Sequence, residues 1–321
     1  MNYSLRQYFY QKITSIFITY KIKYVLIAIS GGQDSLCLIE LIEAFNKKAA
    51  ILNKIEYIYI DHQWKTDSKT QIIHLINYLD QYNQQLSIYQ IQDNCLKEKI
   101  ARSYRYHTLI NHAINNQYQV ILTAHSQTDR IETFIYNLIK GTSLDGASSL
   151  TIHRNINNIV HIIRPLIYVN RSDINYFCRK CSLPIWSDIT NYNLYFTRNR
   201  IRHELIPYIV NYYNIHAEHH INQFLNICDQ DNEYIKQNTL KLYMRSRHVN
   251  YIALNYKLLK KQHPTLIHRI LQLFFFHNFQ IIIGTIIINK LTDLLKTNNA
   301  YHNLIYNKLQ IKITYLWIYV K

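Results

Sequence analysis

Glycine and proline are nearly absent from this chain, with five Gly and four Pro in 321 residues against 29 Tyr and an excess of Ile, Asn and Lys. The scarcity leaves no Pro/Gly/Ser-rich stretch to mark a linker. It fits drift toward A/T-rich codons, which erodes Gly, Pro, Ala and Arg wherever the fold tolerates it. The glycines that survive are therefore informative: four of the five are Gly31, Gly32, Gly141 and Gly146, in two short places. Cysteine is sparse and odd in number (Cys37, Cys95, Cys178, Cys181, Cys228), which excludes a disulfide framework and fits a reducing compartment. Cys178 and Cys181 have CxxC spacing, but no second pair exists to complete a zinc site. A long apolar run is also missing. The most apolar stretch, residues 271–288, is broken by Gln272, His277, Asn278 and Gln280, so it predicts buried core rather than a membrane span. Acids are the scarce charge, 20 against 36 Lys and Arg. The net charge of +16 points to a polyanionic partner, most simply nucleic acid.

The length suits about two domains, at roughly 150 residues each. No internal repeat is visible. Residues 1–23 carry Arg6, Lys12, Lys21 and Lys23 and no acid, superficially like a transit peptide, but a core strand from residue 24 predicts a folded helix before it. Strand-like runs at 24–29, 55–60 (ending in Asp61-His62), 86–91, 119–124 and 161–163 alternate with helical patterns at 36–48, from 63 to about 82, and at 99–116 and 127–139. Asn170 reads as the N-cap of a further helix, with Asp173 in its first turn. Alternation of this kind predicts an α/β fold, a parallel doubly wound sheet covered on both faces. Past about residue 210 it stops, and helical patterns lead to a β-rich segment at 309–318. The expected division is thus 1–209, the α/β domain, and 210–321, a smaller, mainly helical region.

The strongest motif is Ser30-Gly31-Gly32-Gln33-Asp34-Ser35, directly behind the first strand and before a helix. A strand, a tight loop and a helix N-terminus turn backbone N–H groups and the positive end of the helix dipole toward one point, which suits a phosphate. The spacing and the lysine of a Walker A loop are absent. Asp129 and Glu132 are three apart on a helix that starts just past the strand ending at His125. Two carboxylates at the ligand edge of such a sheet can hold an amine, a magnesium ion or both. Arg102 and Arg105, flanked by Tyr104 and Tyr106, and the alternating Arg198, Arg200 and Arg202 suit phosphate and base contacts. His216, His219 and His220 beside Glu218 read as a solvated turn.

The loop resembles that of the PP-loop ATP pyrophosphatases (adenine nucleotide alpha hydrolase-like fold). The ordered set over residues 24–207 resembles the tRNA(Ile)-lysidine synthases. It comprises the loop, Ile60-Asp61-His62, Ala101-Arg102 to Arg105-Tyr106, and Ala124-His125 through Asp129 and Glu132-Thr133. Gly141 to Gly146, Arg164-Pro165-Leu166, Trp186 to Asn191, and Arg198 to Arg202 with Pro207 complete it. The resemblance implies that ATP adenylates C2 of the wobble cytidine of a CAU-anticodon tRNA(Ile), and that the ε-amine of L-lysine then displaces AMP to give lysidine. It implies that Ser30, Gly31, Gly32, Gln33, Asp34 and Ser35 cradle the departing pyrophosphate, and that Asp34 orients Mg2+ or loop donors. Asp129 and Glu132 would take the lysine ammonium, His125 would position the cytidine or the triphosphate, and Arg102, Arg105, Arg198, Arg200 and Arg202 would hold tRNA phosphates. The drifted codons and the missing leader predict residence in the plastid stroma or a bacterial-type cytoplasm, and the interrupted apolar run predicts no membrane partner. Two departures stand out: Thr128 precedes Asp129 where the family often has a second acid, and Ser126 replaces a frequent histidine. The alternatives are another PP-loop tRNA-modifying enzyme such as a thiolase, supported by Cys178 and Cys181, and a non-catalytic RNA-binding module.

Overall fold

The computed structural model describes residues 4–61, 63, 68–91, 98–156, 159–186, 193–296, 302–314 and 316–321. His62, Cys95 and residues 187–191 of the Trp186 motif lie outside the described residues. The chain forms two compact units, Met1–Asn226 and Ile227–Lys321. The division falls inside a helix, downstream of residue 209, with no break in sequence character to announce it.

The first unit opens on α1 (Leu5–Thr19), which Ser4 starts through a capping box with Gln7. Phe9, Ile13 and Phe17 recur at helical spacing and are all buried. There follow β1 (Tyr24–Ile29), α2 (Gln33–Ala49), β2 (Lys54–Asp61), α3 (Ser68–Asp80), β3 (Leu86–Gln90), α4 (Glu98–Asn115), β4 (Val120–Thr123) and α5 (Gln127–Lys140). After the short α6 (Leu144–Ala147) come β5 (His153–Ile156), β6 (Val160–Ile163) and α7 (Arg171–Lys180). Asn170 occupies the N-cap position of α7, although its side chain makes no capping hydrogen bond. Then α8 (Thr197–Arg200), a π-helical turn (Ile201–Leu205) and α9 (Ile206–Tyr212) run without a break, and Pro207 is accommodated in the first turn of α9.

The sheet order is β3-β2-β1-β4-β6-β5. All its pairings are parallel except β5 with β6, so the expected parallel sheet carries one antiparallel edge strand. Period-two alternation assigns its two faces. Val25, Ile27, Tyr57, Val120 and Leu122 pack against α1, α2 and α7, whereas Leu26, Ile58, Ile121 and Ile162 pack with Leu109 and Ala113 of α4. The strand order reverses between β1 and β4. Both lead outward from this point, so their C-terminal ends open a crevice that no crossover covers.

The second unit takes the later part of α10 (Ala217–Ser246), then β7 (Ala253–Asn255), α11 (Tyr256–Leu259), α12 (Pro264–Phe279), α13 (Thr285–Lys296) and β8 (His302–Tyr306), β9 (Leu309–Ile313) and β10 (Trp317–Val320). The apolar run around 271–288 is core, with Leu271, Phe274, Phe275, Ile283 and Ile288 buried. No described helix is long and apolar enough to cross a membrane. The four strands form an antiparallel sheet, order β7-β10-β9-β8, beside the expected helices. The β-rich segment at 309–318 supplies β9 and the start of β10.

Candidate active site

The loop after β1 is held from two sides. Gly31 sits at φ +74, a left-handed conformation that L side chains rarely adopt. A Cβ there would lie 2.8 Å from Nε2 of Gln71. That amide, buried on α3, donates to the Ser30 carbonyl at 2.8 Å, and the Tyr59 hydroxyl donates to Gln71 Oε1 at 3.1 Å. Ser30 N–H donates to Ser35 Oγ at 3.0 Å, and the two hydroxyls are 2.9 Å apart. Gly32 is the N-cap of α2 and supplies no side-chain cap. The first N–H groups of α2 therefore face the crevice end of β1 without a side chain in the way. Behind the loop, the buried Cys178 thiol lies 3.7 Å from the Gln33 carbonyl, so this half of the CxxC packs α7 against α2.

Asp34 stands in the first turn of α2, and its Oδ1 is buried with no protein partner. Burial, and then the neighbouring Asp129 charge, push its carboxyl up from the ordinary range against the pull of Arg171 and Arg202. An orphaned hard oxygen fits a divalent cation such as Mg2+. No group of three or more His, Cys, Asp or Glu suited to a metal exists among the described residues. Phosphate oxygens and water would therefore have to complete its coordination.

Asp129 and Glu132 do share a face of α5, as their spacing implies. Asp129 Oδ2 accepts from the Ser126 N–H at 2.8 Å and from its hydroxyl at 3.2 Å, which closes the helix N-terminus. The free edges of both acids converge on Arg202. Its Nη2 donates to Asp129 Oδ1 at 2.9 Å and Glu132 Oε2 at 3.0 Å, and its Nε donates to Glu132 Oε1 at 2.5 Å. Arg202, expected on tRNA phosphates, thus closes an ion cluster in this structure. Burial lifts the Glu132 carboxyl to about 7, although Arg202 opposes the shift. Asp129 is held low, its own burial outweighed by the Arg202 charge and the Ser126 hydrogen bonds.

His125, just past β4, has Nδ1 2.9 Å from the Thr123 hydroxyl. Burial drives its pKa down, Asp129 resists, and Arg164, Arg102 and Arg105 add to the fall, so the ring is neutral at physiological pH. Those cations are a group. Arg102 and Arg105 lie 5.2 and 5.8 Å over the Tyr106 ring. Burial, partly offset by Tyr106, and then the neighbouring Arg198, Arg105 and Arg164 charges make Arg102 easier to deprotonate. Arg164 was foreseen only as part of a motif. It is buried, donates from Nη1 to the Thr151 carbonyl at 2.9 Å, and leaves Nε without a partner. Arg198 also lies 5.7 Å over Tyr136. Arg200 is apart from the cluster, in an exposed pair with Glu204 at 2.9 Å. Asp61 is buried and takes the Gln63 N–H at 2.8 Å. His219 and His220 lie in the first turn of α10 and His216 in the turn just before it, with the His216 and His220 rings 6.3 Å apart.

The site thus gathers the loop after β1, an orphaned carboxylate, two acids closed on Arg202, a neutral imidazole and a group of arginines. Gln71, Tyr59 and Arg164 were not foreseen as site residues. Arg164 had a signal, as a charged residue behind the apolar run of β6, whereas Gln71 follows Ser68, Lys69 and Thr70 and has none.

Comparison with known proteins agrees with this geometry. Residues 5–209 match the PP-loop domain family. The chain is 46% identical to the chloroplastic tRNA(Ile)-lysidine synthase of Gracilaria tenuistipitata var. liui over 98% of this chain and 99% of that one. It is 37% identical to its namesake from Pyropia yezoensis over 92% and 89%. Among solved structures, the U34-tRNA thiolase NcsA of Methanococcus maripaludis with its [4Fe-4S] cluster aligns at TM-score 0.56 and 14% identity, covering 70% of this chain and 78% of that one. That likeness shows a shared fold. With near-complete coverage at this identity, and with a PP-loop built as described, the chain belongs to the tRNA(Ile)-lysidine synthase family.

Proposed function

We propose that this protein is an ATP-dependent carbon–nitrogen ligase that joins L-lysine to C2 of the wobble cytidine of a CAU-anticodon tRNA(Ile), through an adenylated tRNA, releasing AMP and pyrophosphate. The observation that carries the reading is the acid pair of α5. Three carboxylate oxygens at the sheet's ligand edge already hold a cationic side chain, Arg202, within 3.0 Å. A lysine ε-ammonium fits the same oxygens. A sulfur donor has no use for them, which sets this reading above a thiolase.

The loop N–H groups and Ser30 and Ser35 would stabilise the charge that grows on the departing pyrophosphate. Asp34 would hold Mg2+, which supplies charge neutralisation on the phosphates when bound. Arg102, Arg105, Arg164 and Arg198 form a cationic wall for polyanion, and neutral His125 can donate or accept a hydrogen bond without adding charge. The lysine amine, ordinarily near 10.4, must lose a proton to become a nucleophile. Glu132, lifted to about 7, is placed to receive it. The chloroplastic relatives favour a plastid setting, with the stroma as the compartment. Residues 210–321 would contribute to tRNA binding.

The direct test is ATP-dependent incorporation of labelled lysine into a tRNA(Ile) transcript with a CAU anticodon, with tRNA(Met) and Asp34→Ala as controls. Incorporation into the first substrate alone, abolished in the variant, is expected. Turnover of ATP without lysine transfer would reassign the nucleophile.

A pH dependence follows from Glu132. Above about 7 it is ionised and binds ammonium, whereas below that it is protonated and neutral. The lysine KM should therefore rise as pH falls from 8 to 6, although lysine itself stays fully protonated across that range. Glu132→Gln should give a high KM that no longer varies there. A wild-type KM flat across this window would remove Glu132 from the lysine site.

A further inference from the structure

The outer face of the C-terminal sheet carries chemistry that the reaction centre does not use. In β9 and β10, Ile311, Ile313, Ile318 and Val320 point into the core of the second unit. Period-two alternation then puts Trp317, Tyr319 and Lys312 on the opposite face, with Lys312 directly across from Tyr319. The turn before β7 adds two more rings at the edge. His248 lies 4.6 Å from Trp317, 4.9 Å from Tyr251 and 6.4 Å from Tyr319, and Tyr251 lies 6.2 Å from Tyr319. The His248 ring is fixed, because the Asn250 and Tyr251 N–H groups donate to its Nδ1 at 3.0 and 3.2 Å. That bonding puts the ring proton on Nε2, free to donate outward.

Rings gathered to close a core are covered, yet Tyr251 is 65% exposed and Trp317 and Tyr319 are only half-buried. The setting is also strongly cationic. From residue 234 to 321 the sequence holds thirteen Lys or Arg and one acid, Asp293. Lys312 and Arg247, next to the rings, are both exposed. Flat π-surfaces interleaved with cations match a chain whose bases stack and whose phosphates are anionic. An acidic protein would satisfy the cations and leave the rings without partners. A-form duplex RNA hides its base faces inside its own stack, so the occupant must present unpaired bases.

We propose that the face formed by Trp317, Tyr319 and Lys312, with His248 and Tyr251 at its edge, is an RNA-binding platform that stacks unpaired nucleotides of the tRNA substrate. The tRNA assignment rests on the proposed function, and the stacking chemistry rests on the face itself.

The test uses the full-length protein at one fixed salt concentration. Binding of the tRNA(Ile) transcript, an unstructured oligouridine and a blunt RNA duplex is measured for wild type, Tyr251→Ala/Tyr319→Ala and Tyr251→Phe/Tyr319→Phe. Each ring lost should weaken tRNA and oligouridine binding about tenfold. Duplex binding should hold, and the phenylalanine variant should bind like wild type. Lys312→Ala should lower the slope of log affinity against log salt by about 0.7, one single-strand phosphate contact. A wild-type melting temperature certifies the fold. If the double alanine variant unfolds, Tyr251→Ala alone, at an exposed position, carries the test with the same tenfold expectation.

Unchanged oligouridine and tRNA affinity in a folded alanine variant would overturn the platform, as would an equal loss on duplex. The two readings separate cleanly. Lysidine formation with indifferent rings would sink the platform alone. Ring-dependent oligouridine binding without lysidine formation would sink the function and leave the platform standing.

Discussion

Replacing Arg202 with methionine is expected to destabilise the first unit by roughly 3–5 kcal/mol at pH 8, because it strands carboxylates that were folded around a cation. Glu132 is almost fully buried, and Asp129 and Arg202 each keep only about a quarter of their side-chain surface open. Solvent therefore screens the cluster weakly. For a unit of this size the loss corresponds to a melting-temperature drop of roughly 6–20 °C. The sign with pH is opposite for the two acids. Glu132 has a folded pKa raised above its unfolded value, so protonation favours the fold, and removing Arg202 raises that pKa further. The deficit of Arg202→Met should thus be full only above the variant's own, higher Glu132 pKa, shrink as pH falls from there, and reach its floor once pH is below about 7, where Glu132 is protonated in both proteins. Asp129 is held low, so its contribution is present above its unfolded pKa, remains at pH 6 and keeps part of the deficit in place. Adding Glu132→Gln should recover much of the loss, so the double variant should cost less than the two single changes summed. Thermal melts of the four proteins at pH 6 and 8 measure this. A pH-independent loss, or strict additivity, would mean that Arg202 acts through packing rather than through these charges.

The same arginine shows where sequence reasoning runs out. Asp129 and Glu132 were legible because three residues on a helix fix a shared face whatever surrounds it. Arg202 was legible as a cation, but its partners lie some seventy positions away, and only the fold brings them together. A free arginine beside a basic stretch reads as a phosphate contact, and the local pattern holds nothing that says otherwise. The β1 loop and the strand before His125 were readable because an apolar run followed by glycine or polar residues is itself the structural event. The edge strand β5 was not: His153–Ile156 is short and polar, and it is strand only because β6 offers it a ladder. The hairpin between β8 and β9 turns on Asn307 and Lys308, both at positive φ. With glycine so rare in this chain, the usual Asn-Gly signal is missing and the turn passes unnoticed. Gln71 is the plainest omission. A glutamine on a helix carries no pattern, yet its amide sets the conformation of the phosphate loop from forty residues away.

That coupling gives Gly31→Ala a large expected catalytic effect. Two costs coincide at one atom. The backbone sits at φ +74, where alanine is strained, and the new Cβ would lie 2.8 Å from the amide that braces the Ser30 carbonyl. The loop can relieve the clash only by releasing Gln71, and releasing Gln71 frees the loop. Its N–H groups would then no longer converge on the pyrophosphate. A displacement of about 1 Å at a reacting group costs on the order of 100-fold, so tRNA-dependent pyrophosphate release should fall by at least about that factor. Gly32→Ala is the matched control: its Cβ would meet nothing closer than Ser30 Oγ at 3.7 Å, and its φ is ordinary, so the fold should accept it with little change in melting temperature. Adding Gln71→Ala to Gly31→Ala removes the clash but neither the strain nor the need for a brace, so activity should stay low. Full recovery in that double variant would make the steric contact the whole effect. Wild-type turnover in Gly31→Ala itself would take the loop conformation out of the reaction.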